Sequence, residues 1–183
     1  MSFLPLSHVY ERMWVAYVFH KGVINCYLDD TNRVAEALKE VKPHYMCVVP
    51  RLLEKIYTKI YENVGKQSLA KRIVFAAATR IAKIQLGRTK KGKYPSFVLK
   101  KLYNVADKLV FQKLKAALGG NIQMIPCGGA LLEPSIGRFF RAIGVNVTLG
   151  YGMTETTATV SCWDDKKFKL KSVGTLVPHI QAK

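Results

Sequence analysis

Residues 122–152 read IQMIPCGGALLEPSIGRFFRAIGVNVTLGYG, and this stretch decides the fold class. Two short apolar runs, 122–126 and 145–149, predict β-strands, and each is followed by a glycine-rich turn. Between them, the apolar residues of 133–143 recur at helical spacing. A strand, a helix and a second strand in this order are typical of a parallel strand pair with a crossover helix on one face.

The same alternation occurs in the first fifty residues. The predicted elements are a strand end at 3–6, a helix at 9–19, a strand at 23–28, a helix at 34–41 and a strand at 45–49. Asp29, Asp30 and Thr31 are candidate N-caps of the second helix, and Lys42-Pro43 ends it. A weaker strand at 158–162 and a basic loop at 166–171 come last. We expect an α/β fold of three layers, in which a mostly parallel sheet lies between flanking helices.

Residues 51–118 differ from the rest of the chain in pattern and in charge. They contain three stripes of apolar residues at helical spacing and a basic loop at 87–95. They hold 17 Lys or Arg and 3 Asp or Glu, and therefore 14 of the 17 net positive charges of the chain. This stretch is predicted to be a basic helical block.

Three interpretations of the basic charge remain open. The residues can form a solvated helix face, or they can attract an anionic membrane surface or a phosphorylated cofactor. Nucleic acid is the least favoured partner, because the aromatic residues lie within the apolar stripes and are not interleaved with the charges.

Composition excludes several classes of protein. With 183 residues and 49% apolar residues, the chain has the size of one domain, or of a piece of a larger one, and can bury a core. Collagen-like and disordered sequences are excluded. The longest apolar run, residues 13–19, is much shorter than a membrane-spanning helix, and no secretory signal is visible. A cytoplasmic location is expected.

The cysteines agree with an intracellular setting. No C-x-x-C pair occurs among the four cysteines, which are Cys26, Cys47, Cys127 and Cys162. The four histidines show no H-E-x-x-H spacing. We expect reduced and mostly buried thiols, and neither a structural zinc site nor a disulfide scaffold.

The two glycine turns are the candidate functional site. Both follow predicted parallel strands and are expected at the carboxyl edge of one sheet, where α/β folds bind ligands. Tyr151 offers a stacking face, Thr154 a hydroxyl and Glu155 a carboxylate. A carboxylate beside a phosphate favours a bound Mg²⁺, which indicates a nucleotide-phosphate site. By spacing alone the alternatives stay open, since such turns are common and Glu155 could stabilise only the start of a short helix.

Four motifs resemble those of a known family. GYGMTE at 150–155, preceded by Gly128-Gly129-Ala130, resembles the adenylate-forming superfamily of acyl-CoA synthetases, luciferases and peptide-synthetase adenylation domains. Within that group LPLSHVYER at 4–12, VPRLLEKIY at 49–57 and VGTLVPH at 173–179 resemble the long-chain fatty acyl-CoA synthetase branch. The resemblance spans nearly the whole chain.

The resemblance implies a two-step ligase. A long-chain fatty acid would attack ATP to give acyl-AMP and pyrophosphate, and coenzyme A would then displace AMP. The site residues that the resemblance implies are an adenine pocket of Gly128, Gly129, Ala130, Tyr151 and Gly152, an α-phosphate ligand Thr154, an Mg²⁺ ligand Glu155, and His8 near the reacting carboxylate. For His8 the alternative is a buried histidine bonded to backbone.

The sequence also departs from this family. The lysine-bearing phosphate loop, the ribose-binding aspartate and the C-terminal domain with its catalytic lysine have no counterpart in residues 1–183. We therefore expect a middle piece of the large N-terminal domain that has no ligase activity by itself. The competing hypotheses are a non-catalytic module that binds anionic lipid or nucleotide, and a ligase of the same fold that acts on another acid.

Overall fold

The computed structural model describes residues 1–90, 92–164 and 168–181. The helices are α1 Val9–His20, α2 Val34–Val41, α3 Pro50–Gly65, α4 Leu69–Lys90, α5 Phe97–Ala106, α6 Gln112–Ala117 and α7 Pro134–Ala142. The strands are β1 Ile125–Cys127, β2 Val147–Tyr151, β3 Ser161–Cys162 and β4 Thr175–Leu176. Two 3-10 turns occur at Thr31–Arg33 and Thr154–Thr156, and a π-helical turn, Asp107–Phe111, joins α5 to α6.

The sheet has the strand order β1-β2-β3-β4 and is mixed. Strands β1 and β2 are parallel, with Ile125 opposite Val147, and α7 makes the crossover between them, as predicted. Strands β3 and β4 join in antiparallel pairing. The α/β class with flanking helices is therefore confirmed. Strand β3 lies within the weaker strand predicted at 158–162, whereas its antiparallel pairing and strand β4 were not indicated by the sequence.

The predicted strands at 3–6, 23–28 and 45–49 are not regular strands. Within them, or at the adjacent Ser2, are isolated parallel bridges: Ser2–Tyr27, Tyr45–Met124 and Val48–Cys127. In the last pairing Val48 donates its N–H to the carbonyl of Pro126 and accepts from the N–H of Gly128. Because proline has no N–H, Pro126 cannot donate a hydrogen bond to the segment that contains Val48, and the ladder is interrupted there. The pattern located these bridging segments to within one residue, but it overestimated the length of pairing and did not predict which segments pair.

Local sequence explains where the helices begin. The Ser96 hydroxyl accepts from the N–H of Leu99 at the start of α5. The Glu133 carboxylate accepts from the N–H groups of Ser135 and Ile136, at 2.7 and 3.1 Å, so that α7 begins at Pro134. The prediction for this helix was correct within one residue at each end.

The core lies between the sheet and helices α3, α4 and α7. Phe139 and Phe140 of α7 are buried, and the Phe139 ring meets Tyr57 of α3 edge to face at 5.1 Å. Full burial of one such side chain stabilises the fold by about 1.5–3 kcal/mol. The basic helices α3 to α6 are thus anchored to the sheet by an apolar contact with α7. None of the helices in the described ranges combines the length and apolar character needed to cross a membrane.

Two of the four free cysteines are shielded from reagents. Cys47 and Cys127 are buried, whereas Cys26 and Cys162 are half-buried. Burial raises the pKa of Cys127 to about 12 and also raises the pKa of Cys47. Both buried thiols therefore stay protonated at pH 8, whereas the thiolate is the reactive form.

We expect iodoacetamide to modify Cys26 and Cys162 in the folded chain and to modify Cys47 and Cys127 only after unfolding in urea. Mass spectrometry of peptides, with and without urea, measures the four sites in one experiment. Equal modification of all four thiols in the folded chain would contradict the packing around Cys47 and Cys127.

Candidate functional site

A cleft of about 490 Å³ opens at the carboxyl ends of β1 and β2. Its walls come from four segments: the residues after β1, the end of β2 with the turn that follows it, the stretch from Leu4 to Glu11, and Val49. Parallel strands with a crossover helix place both glycine-rich turns at this edge. The cleft is therefore at the position that the sequence predicted.

Six of the eight predicted site residues line this cleft: His8, Gly128, Gly129, Tyr151, Gly152 and Thr154. Ala130 and Glu155 are exposed beside it and are not part of its wall. The structure thus assembles residues that are about 120 positions apart in sequence. Their roles in binding stay predictions.

The turn after β2 is tight. A Cβ at Gly152 would overlap the carbonyl group of Ala158. The Met153 carbonyl accepts from the N–H groups of Thr156 and Ala158, and Thr157 and Ala158 adopt left-handed φ angles of 54° and 77°. Left-handed backbone is unusual for such residues, so the surrounding bonds hold the turn in one conformation.

The second glycine-rich turn begins later than the sequence suggested. Gly150 and Tyr151 belong to β2, where they lie opposite Cys162 and Ser161 of β3. The alternation of β2 therefore continues past the predicted end at residue 149, and the chain turns at Gly152. Tyr151 is consequently held by strand pairing, with its side chain exposed at the cleft.

The turn after β1 rests on α1. Gly129 has a φ of 84°, which glycine adopts without a steric penalty. A Cβ at the preceding Gly128 would lie 3.1 Å from Cζ of Tyr10, so this backbone lies directly against the Tyr10 ring. Burial raises the pKa of the Tyr10 hydroxyl, which stays neutral at physiological pH. The Tyr10 ring forms a fixed, apolar support for the first turn.

His8 is the residue before α1 and is exposed at the cleft. Its side chain does not cap α1. The alternative interpretation, a buried histidine bonded to backbone, is therefore wrong. An exposed imidazole at the mouth of the cleft is free to orient a polar ligand.

Thr154 and Glu155 lie in the short 3-10 turn after Met153, and both side chains are exposed. The N-cap of this turn is Met153, so Glu155 is not its N-cap. No group of three or more His, Cys, Asp or Glu side chains is arranged for a metal among the described residues. A single carboxylate fits Mg²⁺, which takes one or two protein carboxylates together with waters and ligand phosphates.

Sequence reasoning missed Glu11. It lies on the inner face of α1 with Trp14, Val15 and Val18, is only 1% exposed, and contributes to the cleft wall. Burial raises the pKa of its carboxyl group, while the nearby Ser2 hydroxyl and the N–H groups of Phe3 and Leu4 lower it in part. Its position one helical turn before Trp14 and Val15 was the available signal.

Comparisons with known proteins identify the family of this chain. The profile of the family described as AMP-binding enzyme matches residues 1–183. Long-chain-fatty-acid–CoA ligase FadD15 of Mycobacterium bovis is 34% identical over 97% of this chain and 29% of its own length. Long chain acyl-CoA synthetase 5 of Arabidopsis thaliana is 36% identical over 98% of this chain and 26% of its own length. Long-chain-fatty-acid–CoA ligase 6 of Rattus norvegicus is 33% identical over 86% of this chain and 21% of its own length.

Solved structures share the fold. E. coli MenE with bound OSB-AMS superimposes with a TM-score of 0.53 at 16% identity, over 97% of this chain and 27% of that one. The N-terminal domain of FACL13 from Mycobacterium tuberculosis gives a TM-score of 0.50 at 15% identity, over 90% of this chain and 30% of that one. The chain spans about a quarter of the length of the curated relatives it matches. Because the family profile covers every residue from 1 to 183, the chain belongs to the AMP-binding enzyme family.

Proposed function

We propose that this chain is part of the N-terminal domain of a long-chain fatty acid–CoA ligase. In this proposal the complete protein joins a fatty acid to ATP, giving acyl-AMP and pyrophosphate, and then transfers the acyl group to coenzyme A. The observation that carries it is the cleft in which both glycine-rich turns meet His8. The names of the relatives, which are long-chain ligases from bacteria, plants and mammals, support the substrate class.

Residues on both sides of the cleft would position the adenine of the nucleotide. Gly128, Gly129 and Ala130 would border the adenine on one side, and Tyr151 and Gly152 on the other, because backbone without side chains lets a flat base approach closely. The exposed Tyr151 ring supplies a face for stacking. The adenine would thus be held between the ends of two neighbouring strands.

The reacting groups would lie next to the second turn. The Thr154 hydroxyl would donate a hydrogen bond to the α-phosphate, where negative charge increases as the carboxylate attacks. Glu155 would hold Mg²⁺, which supplies positive charge to the phosphates when bound. His8 would orient the fatty acid carboxylate. The supporting observation is that the side chains of Thr154, Glu155 and His8 are all exposed at or beside the cleft.

The basic helices would be an insertion at about 51–118 within this partial domain. The complete protein would be cytoplasmic with peripheral contact to an anionic membrane. The positive charge of α3 to α6 supports such a contact, and it also suits a binding module without catalysis. A ligase forms acyl-CoA, whereas a binding module forms no product, so a product assay distinguishes the two functions.

The test is product analysis with the complete protein that carries this segment. With palmitate, ATP, Mg²⁺ and coenzyme A, we expect palmitoyl-CoA together with equal amounts of AMP and pyrophosphate, and no product from the 183-residue chain alone. Aromatic and amino acids serve as competing substrates. Formation of ADP, a preference for one of those acids, or the absence of any acyl-CoA would refute the proposal.

A further inference from the structure

Helix α5 and the π-helical turn after it have an outer face that is apolar and exposed. The side chains of this face are Val98, Leu102, Val105 and Leu109, each exposed by 47–65%. Their spacing of four, three and four residues places them on one stripe of a helix. We call these four residues the outer stripe. Isolated exposed apolar residues are common, whereas a continuous stripe indicates a surface that is covered in use.

The outer stripe is not the side of the helix that packs on the core. The opposite side holds Tyr103, Ala106 and Phe111, which are buried or half-buried. The Tyr103 hydroxyl donates to the carbonyl of Ala142 in α7 at 3.1 Å, and its ring lies 5.8 Å from that of Phe111. The inner side of the helix thus packs against the rest of the domain, and the outer stripe stays exposed to solvent.

Lysines border the outer stripe. Lys101 and Lys108 are exposed and lie seven residues apart along one edge of it. The Lys101 ammonium lies 4.6 Å from the centre of the exposed Phe97 ring. Asp107, the one acid of α5, α6 and the turn between them, is paired with Lys115 at 2.7 Å. The basic edge is therefore not neutralised by its own helix.

We propose that the outer stripe docks this domain on an anionic lipid membrane. The four aliphatic side chains would enter the boundary between headgroups and acyl chains, and Lys101 and Lys108 would contact anionic headgroups. The exposed aromatic residues Tyr94 and Phe97, at the start of the helix, suit the same interfacial depth. The helix would lie parallel to the membrane plane.

Charge and chemistry favour this occupant over others. Nucleic acid phosphates would pair with the lysines but would leave an aliphatic stripe in water. A second copy of the chain would bring two basic edges together, and like charges repel. A membrane surface offers acyl chains and negative charge side by side. The proposal rests on the peripheral membrane contact of the proposed function and names the surface that makes it. It does not depend on ligase chemistry, because its measurement is binding to vesicles.

The experiment is co-sedimentation of the 183-residue chain, and of the complete protein that carries it, with lipid vesicles. We expect binding to vesicles of phosphatidylcholine with phosphatidylserine, weak binding to phosphatidylcholine alone, and a decrease in binding as sodium chloride is raised. A short DNA duplex serves as the competing polyanion and should displace little of the bound protein.

Two variants test the two parts of the surface. Lys101→Gln with Lys108→Gln should weaken binding to the anionic vesicles by roughly 20- to 30-fold, since each lysine near the surface contributes roughly fivefold. Leu102→Asp with Leu109→Asp should weaken it by at least about 100-fold, because it removes apolar contact and adds negative charge.

The matched control is Ile24→Asp with Leu131→Asp, which makes the same change of charge at exposed apolar residues outside the outer stripe. It should weaken binding by less than about fivefold. Far-UV circular dichroism verifies that each variant is folded, and the lysine variant remains decisive if the Asp variant is not. Equal binding of the lysine variant and the unmodified chain overturns the proposal. So does binding by the chain but not by the complete protein, which would mean that another segment or a second copy covers the stripe.

Discussion

Replacing Thr154 and Glu155 together by alanine is expected to lower kcat/KM for acyl-CoA formation by at least about 10³-fold in the complete protein. The change removes the proposed α-phosphate donor and the proposed Mg²⁺ ligand in one step. Both side chains are exposed, and the hydrogen bonds of their turn use backbone atoms and the Thr156 hydroxyl, which the alanine substitutions leave in place. We therefore expect the free energy of unfolding to change by less than about 0.5 kcal/mol.

The control for this variant is Thr58→Ala with Glu62→Gln. These residues are exposed on α3 and do not line the cleft, so activity should stay within about twofold of the unmodified protein. Steady-state kinetics with palmitate, together with urea unfolding of both variants, completes the comparison. If the Thr154 and Glu155 variant retained most of its kcat/KM, the assignment of these two residues would be wrong, although ligase activity itself would stand.

Replacing Gly152 by alanine is expected to destabilise the fold by about 2–3 kcal/mol and to abolish nucleotide binding. The added Cβ would overlap the backbone carbonyl of Ala158, and a backbone atom cannot move aside as a flexible side chain can. The turn from Gly152 to Ala158 would have to open. Since Tyr151 directly precedes that turn and Thr154 lies within it, the cleft would lose its shape at the same time.

Gly87→Ala is the matched control for the glycine change. Gly87 lies in the exposed part of α4, and no atom lies within 4 Å of a Cβ built on it. Alanine should stabilise the chain there by about 0.5–1 kcal/mol, because glycine is unfavourable inside a helix. Urea unfolding curves of both variants and binding of a fluorescent AMP analogue measure the two effects. A Gly152→Ala chain as stable as the Gly87→Ala chain would contradict the structure of the turn.

Helices and their ends were the part of the fold that the sequence predicted well. Apolar spacing located α1, α2 and α7 within a residue or two, because a helix satisfies its backbone hydrogen bonds within one segment. Strand lengths were predicted less well. Pairing depends on a neighbour that is distant in sequence, and one proline, Pro126, was enough to interrupt a ladder.

The candidate site was predicted in position but not in detail. The two glycine-rich turns could be predicted from their glycine content and from their position directly after predicted strands. Ala130 and Glu155 were expected in the cleft and lie beside it, because the chain turns sharply after Gly129 and after Gly152. Glu11 was missed, since a carboxylate within an apolar helix shows its burial only when the neighbouring segment covers it.

By itself the sequence determined the α/β class, the two glycine-rich turns, the basic helical character of 51–118 and membership of the AMP-binding enzyme family. All of these depend on residue type and spacing along the chain. Tertiary structure alone decided that His8 and Glu11 meet turns about 120 residues away. It also decided that the inner side of α5 packs on α4 and reaches α7 through Tyr103, while Val98, Leu102, Val105 and Leu109 stay exposed. Burial and long-range contact depend on how the elements pack, and that arrangement is not encoded in any one segment.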